Sequence, residues 1–180
     1  MITIRLANTN DAASIAVLGK STFDIYYRHL FENQEDIDAY LTNAFSLEKI
    51  NNSLANTKNT YWIAEDVTSN LKVGYAKLQL DASTNIIGNG KGCKLQRIYI
   101  LPGFESSGIG MQLQKLIERE TVNTGNEYVW LSTLKSNKGA MCFYDREGYT
   151  IIGEDQYTIG EQTFDHWIFA KKLINTPCKN

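Results

Sequence analysis

The stretch Ile100-Leu101-Pro102-Gly103-Phe104-Glu105-Ser106-Ser107-Gly108-Ile109-Gly110 reads as a strand that ends, a tight turn and the start of a helix. The first N–H groups of a helix have no partner inside it, and the helix dipole adds positive potential there. Such a junction binds anions through backbone donors, so a phosphate fits without needing a lysine. Gly108 and Gly110 remove side chains where a ligand must come close to the backbone. Two familiar phosphate loops fit poorly. A Walker loop needs Gly-Lys-Ser/Thr, and Gly110 is followed by Met111-Gln112. A dinucleotide fingerprint needs a third glycine early in a βαβ unit, whereas Leu113 stands in that place and the loop lies mid-chain. Taken alone, Gly-x-Gly at such a junction is also ordinary turn chemistry.

These groups need a sheet and helices to hold them. Ile2 to Leu6 alternates apolar and polar residues as a short strand. Asn8 or Thr9 can cap a helix with Asp11 in its first turn, and Ile15, Leu18, Thr22 and Ile25 carry that helix to about Phe23 or slightly beyond. A second helix follows Asn33, with Ile37, Tyr40, Leu41 and Ala44 on one face and Glu35, Asp36 and Asp38 on the other. Leu47, Ile50 and Leu54 predict a third, short helix. From Tyr61 the period changes. Tyr61 to Val67 and Leu71 to Leu80 read as strands around a Thr68-Ser69-Asn70 hairpin turn. Asp81 to Gly92 reads as a mobile loop, and Lys94 to Leu101 as a strand broken by Pro102 and Gly103. A helix begins after Ser107. Tyr128 to Leu134 is a continuous apolar run, expected of a strand covered on both faces. Asn137 to Glu147 is helical and stopped by Gly148; Tyr149 to Ile159 and Thr163 to Ile174 form an antiparallel pair across Gly160-Glu161. The order β-α-α-α-β-β-β-α-β-α-β-β predicts an α/β fold of the α+β kind, a single mixed-sheet domain over residues 1–180.

Composition narrows the partners. With 180 residues, 43% hydrophobic and 21% charged, the chain can bury a sizeable core without staples. A formal net charge of -2 argues against DNA or RNA as a partner. Cys93, Cys142 and Cys178 are an odd, widely spaced set that reads as reduced thiols. His29 and His166 follow no metal-ligand spacing and read as core or surface histidines, so no metal is expected. No charged start leads into an apolar segment and no long apolar run follows, so a cytoplasmic protein with no membrane contact is expected. A homodimer is left open.

Two motifs carry a resemblance. Ile100-x-Pro102 followed by Glu105-Ser-Ser-Gly108-Ile-Gly110 resembles the cofactor signature of the GCN5-related N-acetyltransferases, [Gln/Arg]-x-x-Gly-x-[Gly/Ala], with Glu in place of Gln/Arg. Asn137, Ala140, Phe143, Tyr144, Gly148 and Tyr149 resemble that family's second signature, Asn-x-x-Ala-x-x-Phe/Leu-Tyr-x-x-x-Gly-Phe. The element order agrees over nearly the whole chain. Thr22-Phe23, the stretch Asp36 to Leu47 and Leu95-Gln96-Arg97-Ile98-Tyr99-Ile100 are similar to bacterial spermidine/spermine acetyltransferases of the PaiA type.

The resemblance implies transfer of acetyl from acetyl-CoA directly to a primary amine, a polyamine such as spermidine or spermine on the PaiA likeness. It implies that Ser106, Ser107, Gly108, Ile109, Gly110 and Met111 hold the pyrophosphate through main-chain N–H groups. The backbone of Ile98, Tyr99 and Ile100 is then the pantetheine track on a splayed central strand, and one N–H there could serve as oxyanion donor. Asn137 is either a helix cap or a contact to the pantetheine arm; Arg146 is either a solvated charge or a phosphate contact. Tyr144 is either a half-buried helix aromatic or the group that hydrogen-bonds or protonates the departing sulfur. Glu32, Glu35, Asp36 and Asp38 are either a solvated helix face or a recognition patch for a cationic amine. Many relatives place a Glu base on the central strand. This strand offers Lys94, Gln96 and Arg97, and no base is assigned. The rival readings are a non-catalytic acetyl-CoA sensor and an acetyltransferase for a protein or aminoglycoside amine.

Overall fold

Asn8 resolves the first cap: its Oδ1 accepts from Asn10 N at 2.9 Å, while Asp11 Oδ2 accepts from Asn8 N at 2.9 Å. Arg5 grips the same carboxylate with two bonds of 2.8 and 2.7 Å and holds it below its usual titration range. This reciprocal box closes a single 3₁₀ turn and launches the first long helix. The chain is described here as a computed structural model covering residues 1–88 and 91–173. Its strands are β1 (Ile2–Leu6), β2 (Asn59–Asp66), β3 (Leu71–Gln79), β4 (Gly92–Ile100), β5 (Tyr128–Leu134), β6 (Thr150–Ile159) and β7 (Gln162–Lys172). Its helices are α1 (Ala12–Tyr27), α2 (Gln34–Ala44), α3 (Leu47–Ala55), α4 (Ile109–Asn123) and α5 (Lys138–Arg146). The mixed α/β fold expected from the sequence is present.

The seven strands form one sheet in the order β1-β2-β3-β4-β5-β7-β6. All neighbours are antiparallel except β4 and β5, which α4 connects in parallel. α4 and α5 cover one face, where Leu113, Ile117, Val129, Leu131 and Phe169 are buried together. α1 and α3 cover the other through Ile15, Leu18 and Ile50, and α2 adds Ile37 and Leu41. Each fully buried aliphatic of this kind contributes about 1.5–3 kcal/mol relative to exposure.

Four expectations change on contact with the fold. α1 runs past Phe23 to Tyr27, extended by an i,i+4 pair in which Arg28 Nε meets Asp24 at 2.6 Å. The segment 81–88 was expected to be a mobile loop, yet Ala82 O accepts from Trp130 Nε1 at 2.5 Å and Asn85–Ile87 form a 3₁₀ turn. β4 begins at Gly92, two residues before the expected Lys94. β5 alternates in burial: Val129, Leu131 and Thr133 are buried, while Trp130, Ser132 and Leu134 are only partly covered, because helices do not pack over that face of the strand. The expected strand end at Ile174, and Cys178, lie outside the described residues.

At Gly19, α1 packs against Phe45 and against Tyr75 of β3. A methyl added there would sit 2.4 Å from the Phe45 ring and 2.7 Å from Tyr75 Oη, both on buried side chains. Gly19→Ala should therefore destabilise the fold by about 1–3 kcal/mol, as overpacking does. A urea midpoint unchanged from wild type would show that this wall can yield.

Candidate active site

Backbone pairing between β4 and β5 covers only Gly92↔Tyr128, Cys93↔Val129 and Lys94↔Trp130. Beyond Lys94 the strands part. On its other side β4 stays paired to β3 as far as Ile100, with an extra residue, Gln96, between Lys77↔Arg97 and Leu78↔Leu95. On its other side β5 stays paired to β7 along its whole length. Between the diverging strands lies a cleft of about 600 Å³ that Ile98, Tyr99 and Ile100 line from β4 and Ser132, Thr133 and Leu134 from β5. The Ser132 Oγ is buried without a hydrogen-bond partner among the described residues.

The cleft runs to the strand–helix junction after β4. Gly108 adopts φ 79° and caps α4 with no side chain. Ser107 N and Oγ both bond Phe104 O, at 3.2 and 2.5 Å, which fixes the turn. Among the described residues the N–H groups of Ser106, Gly108, Ile109, Gly110 and Met111 have no partner, so five donors remain at the positive end of a 15-residue helix. Gly110 is buried against Ile100 and Phe143, and an added methyl would sit 3.5 and 3.4 Å from them. These features fit a phosphate group held by main-chain donors. Glu105, the departure from the motif, is folded back: it accepts from Tyr26 Oη on α1 and from Gly103 N at 2.6 Å. Those donors, Tyr26 foremost, hold its carboxyl below the usual range.

α5 brings two motif residues to the cleft. Asn137 caps the helix, accepting from Ala140 N at 3.0 Å, and its Nδ2 donates to Tyr27 Oη at 3.3 Å. Tyr144 is buried beside Phe143, Tyr149 and Phe169, and its hydroxyl has no partner among the described residues. Burial, and then the neighbouring Tyr27, push its pKa well above that of a free tyrosine. The hydroxyl therefore stays protonated at neutral pH and available as a donor. Arg146 does not join this group; it is 73% exposed on the outer side of α5, 3.8 Å from Glu147.

The other wall of the cleft is aromatic. Phe23 packs 4.9 Å from both Tyr27 and Tyr40, and Phe31 packs 4.9 Å from Phe164 of β7. His166 and Tyr157 also line it. Composition alone did not single out these rings, but their i, i+3 and i, i+4 repeat along residues 23–31 was a readable sign of a continuous wall.

The acidic group expected as a recognition patch is not brought together at the cleft. Asp38 is paired with Arg28 at 2.7 Å, and Asp36 accepts from Glu161 N at 3.2 Å, tying α2 to the β6–β7 turn. Glu32 and Glu35 are exposed, and none of the four lines the cleft. Glu32 precedes α2, and Glu35, Asp36 and Asp38 sit on α2 away from the cleft, whereas Tyr40 of the same helix lines it. On β4, Lys94 lies over the Trp130 ring at 4.5 Å, Arg97 over the Phe45 ring at 4.4 Å, and Gln96 is exposed at the bulge.

Three comparisons bear on this geometry. A family model described as Acetyltransferase (GNAT) domain matches residues 57–151. An uncharacterized N-acetyltransferase in the pepI 3' region of Lactobacillus delbrueckii subsp. lactis is 25% identical over 140 residues, 78% of this chain and 80% of that protein. Among solved structures, PaiA N-acetyltransferase from Thermoplasma acidophilum in complex with coenzyme A gives a TM-score of 0.76 at 20% identity, covering 96% of this chain and 99% of that one. NAA60 of Arabidopsis thaliana with a bisubstrate analogue gives 0.73 at 18% identity, covering 96% and 98%. At these identities the two structures establish a shared fold. No helix among the described residues is long and apolar enough to cross a membrane.

The left-handed backbone at Gly108 supplies a test of the junction. Gly108→Val adds a branched side chain where φ is positive, a strain of about 1–2 kcal/mol. Coenzyme A should bind at least about tenfold more weakly by calorimetry, with the melting temperature lowered by about 2–8 °C. Unchanged affinity in the folded variant would remove this turn from the binding site.

Proposed function

The chain belongs to the GNAT acetyltransferase family and is an acyltransferase, and from that premise we propose that it transfers the acetyl group of acetyl-CoA directly to a primary amine borne on an apolar body. The observation that carries this reading is the single cleft between β4 and β5, which joins a donor-rich helix start to an aromatic chamber past the Tyr144 hydroxyl. Acetyl-CoA supplies an activated thioester to that cleft. The free N–H groups of Ser106, Gly108, Ile109, Gly110 and Met111 hold its pyrophosphate, and the unpaired edge of Ile98 to Ile100 holds its pantetheine amides. Asn137, already fixed by its cap bond, borders the same arm.

Tyr144 donates a hydrogen bond to the departing sulfur. A free tyrosine has a pKa of about 10 and a thiol about 8.5, so full proton transfer already runs uphill by roughly 2 kcal/mol. Burial raises the tyrosine further. Its contribution is therefore stabilisation of developing thiolate charge rather than early surrender of its proton.

The acceptor enters between α1, α2 and the β6–β7 pair. Phe23, Phe31, Tyr40 and Phe164 present ring faces and edges there, and the one carboxylate lining the cleft, Glu105, is held by Tyr26 and Gly103. An amine with an apolar or aromatic tail gains from burial against these rings. A second reading, a polyamine, is supported by the resemblance of Leu95-Gln96-Arg97-Ile98-Tyr99-Ile100 to spermidine/spermine acetyltransferases and by the capacity of the same rings to hold a cation over their faces.

Acetyl transfer measured across 2-phenylethylamine, spermidine, an aminoglycoside and a peptide N-terminus tests the acceptor. The highest kcat/KM is expected for 2-phenylethylamine; a higher value for spermidine would give the polyamine reading. Coenzyme A binding without turnover of any amine would make the chain a non-catalytic cofactor-binding module. For the sulfur, Tyr144→Phe should keep acetyl-CoA affinity and lower kcat by about ten- to a thousandfold. A wild-type rate in that variant, with chemistry rate-limiting, would leave Tyr144 as a packing residue.

A further inference from the structure

An alkylamine with a pKa of about 10.4 must lose a proton before it attacks, at a cost of roughly 4.6 kcal/mol at pH 7. The cleft holds few groups able to take that proton. Burial pushes Tyr27, Tyr40, Tyr99 and Tyr144 above the ordinary tyrosine range, so all stay protonated. Burial, with Glu105 beside it, does the same to Tyr26. Glu105 is a weakened base engaged by Tyr26 and Gly103. Tyr157, a phenol, is a donor in its neutral form.

His166 remains. It stands on β7, paired in register with Leu134 of β5 on one side and Asp155 of β6 on the other, and its side chain lines the cleft. Nδ1 lies 3.0 Å from Phe164 O. A carbonyl only accepts, so Nδ1 carries the hydrogen of that bond, and in the neutral ring the lone pair falls on Nε2. Nε2 has no partner among the described residues. The groups around the ring are Tyr157 at 6.4 Å between centroids, Asp155 on β6, whose Oδ1 accepts from Gln156 N at 2.8 Å, and Ser132 and Leu134 on β5. From α1 and α2, Tyr26, Tyr27 and Tyr40 line the opposite wall. Ser132 on β5, two register positions from the Leu134 that pairs with His166, lines the same cleft, and its buried Oγ has no hydrogen-bond partner among the described residues.

We propose that His166 is the proton acceptor for the incoming amine, an assignment that rests on the acetyltransferase reading above. Nε2 takes one proton from the acceptor ammonium. The neutral nitrogen then forms the C–N bond to the thioester carbonyl as the C–S bond breaks. The amide nitrogen sheds its second proton, the leaving thiolate gains one, and His166 returns its own to solvent. One proton is released per acetyl transferred.

The test compares two acceptors with the same body: 2-phenylethylamine, a cation at pH 7, and 2,2-difluoro-2-phenylethylamine, whose weakened nitrogen is largely neutral there. His166→Asn keeps an amide donor for Phe164 O and lacks the free lone pair. It should lower kcat/KM about a hundredfold on the first amine and less than about threefold on the second. In His166→Ala, added imidazole should restore part of the rate on the first amine only. Equal losses on both amines, or no loss on either, would overturn the assignment while leaving the acetyltransferase reading intact. A wild type that acetylates no amine at all removes that reading, and the assignment with it.

Discussion

The hydrogen bonds between β4 and β5 stop at Lys94↔Trp130, although both strands run on for several residues. Each strand is held on its other side, β4 by β3 and β5 by β7, so the sheet behaves as two halves joined by a short seam. The Gln96 bulge sits just beyond that seam and re-aims the rest of β4. Peptide groups on the parted edges then face a cleft instead of a neighbouring strand. Backbone donors and acceptors left unpaired in a protein are costly unless water or a ligand satisfies them. A ligand with amides of its own is the natural occupant, and the cleft leads directly to the free N–H groups at the start of α4.

The seam also explains which parts of the site the sequence made legible. Strand and helix identities follow from local periodicity, and the junction from 100 to 110 announces itself because glycine and a new helix coincide there. The divergence of β4 from β5 has no such local mark. Tyr128 to Leu134 reads as a strand covered on both faces, and its alternation appears only because no helix packs over the face that carries Trp130, Ser132 and Leu134. Tyr26 and Tyr27 were beyond the expected end of α1, since nothing in Phe23-Asp24-Ile25 announces that Arg28 will reach back to Asp24. The carboxylates of α2 illustrate the opposite error. Their charge was legible, but not that Arg28 and the β6–β7 turn would occupy Asp38 and Asp36.

Glu105 shows how a motif departure is absorbed. A carboxylate next to a pyrophosphate site would repel it, yet this one is bound by Tyr26 from α1 and by the amide of its own turn. Tyr26 lies one residue from Tyr27, which meets Asn137. Two adjacent residues of α1 thus contact both the turn before α4 and the cap of α5. α1 also packs closely on Phe45 and Tyr75 at Gly19, so one helix carries the aromatic wall of the cleft and the contacts to both motif loops.

The chemistry divides along the same geometry. An aromatic chamber of low polarity disfavours the charged form of a buried amine and so lowers the cost of removing its proton, without removing that cost altogether. The same burial makes tyrosines poor acids and useless as bases, which leaves them hydrogen-bond donors and walls. A group that must gain and lose a proton in every cycle needs a free lone pair toward the substrate and a route to water. His166 is the cleft residue with both: its other nitrogen is fixed by Phe164 O, and its strand neighbours on β6 are exposed. On the proposed reading, proton removal at the amine and charge stabilisation at the sulfur fall to different elements, β7 with His166 and α5 with Tyr144.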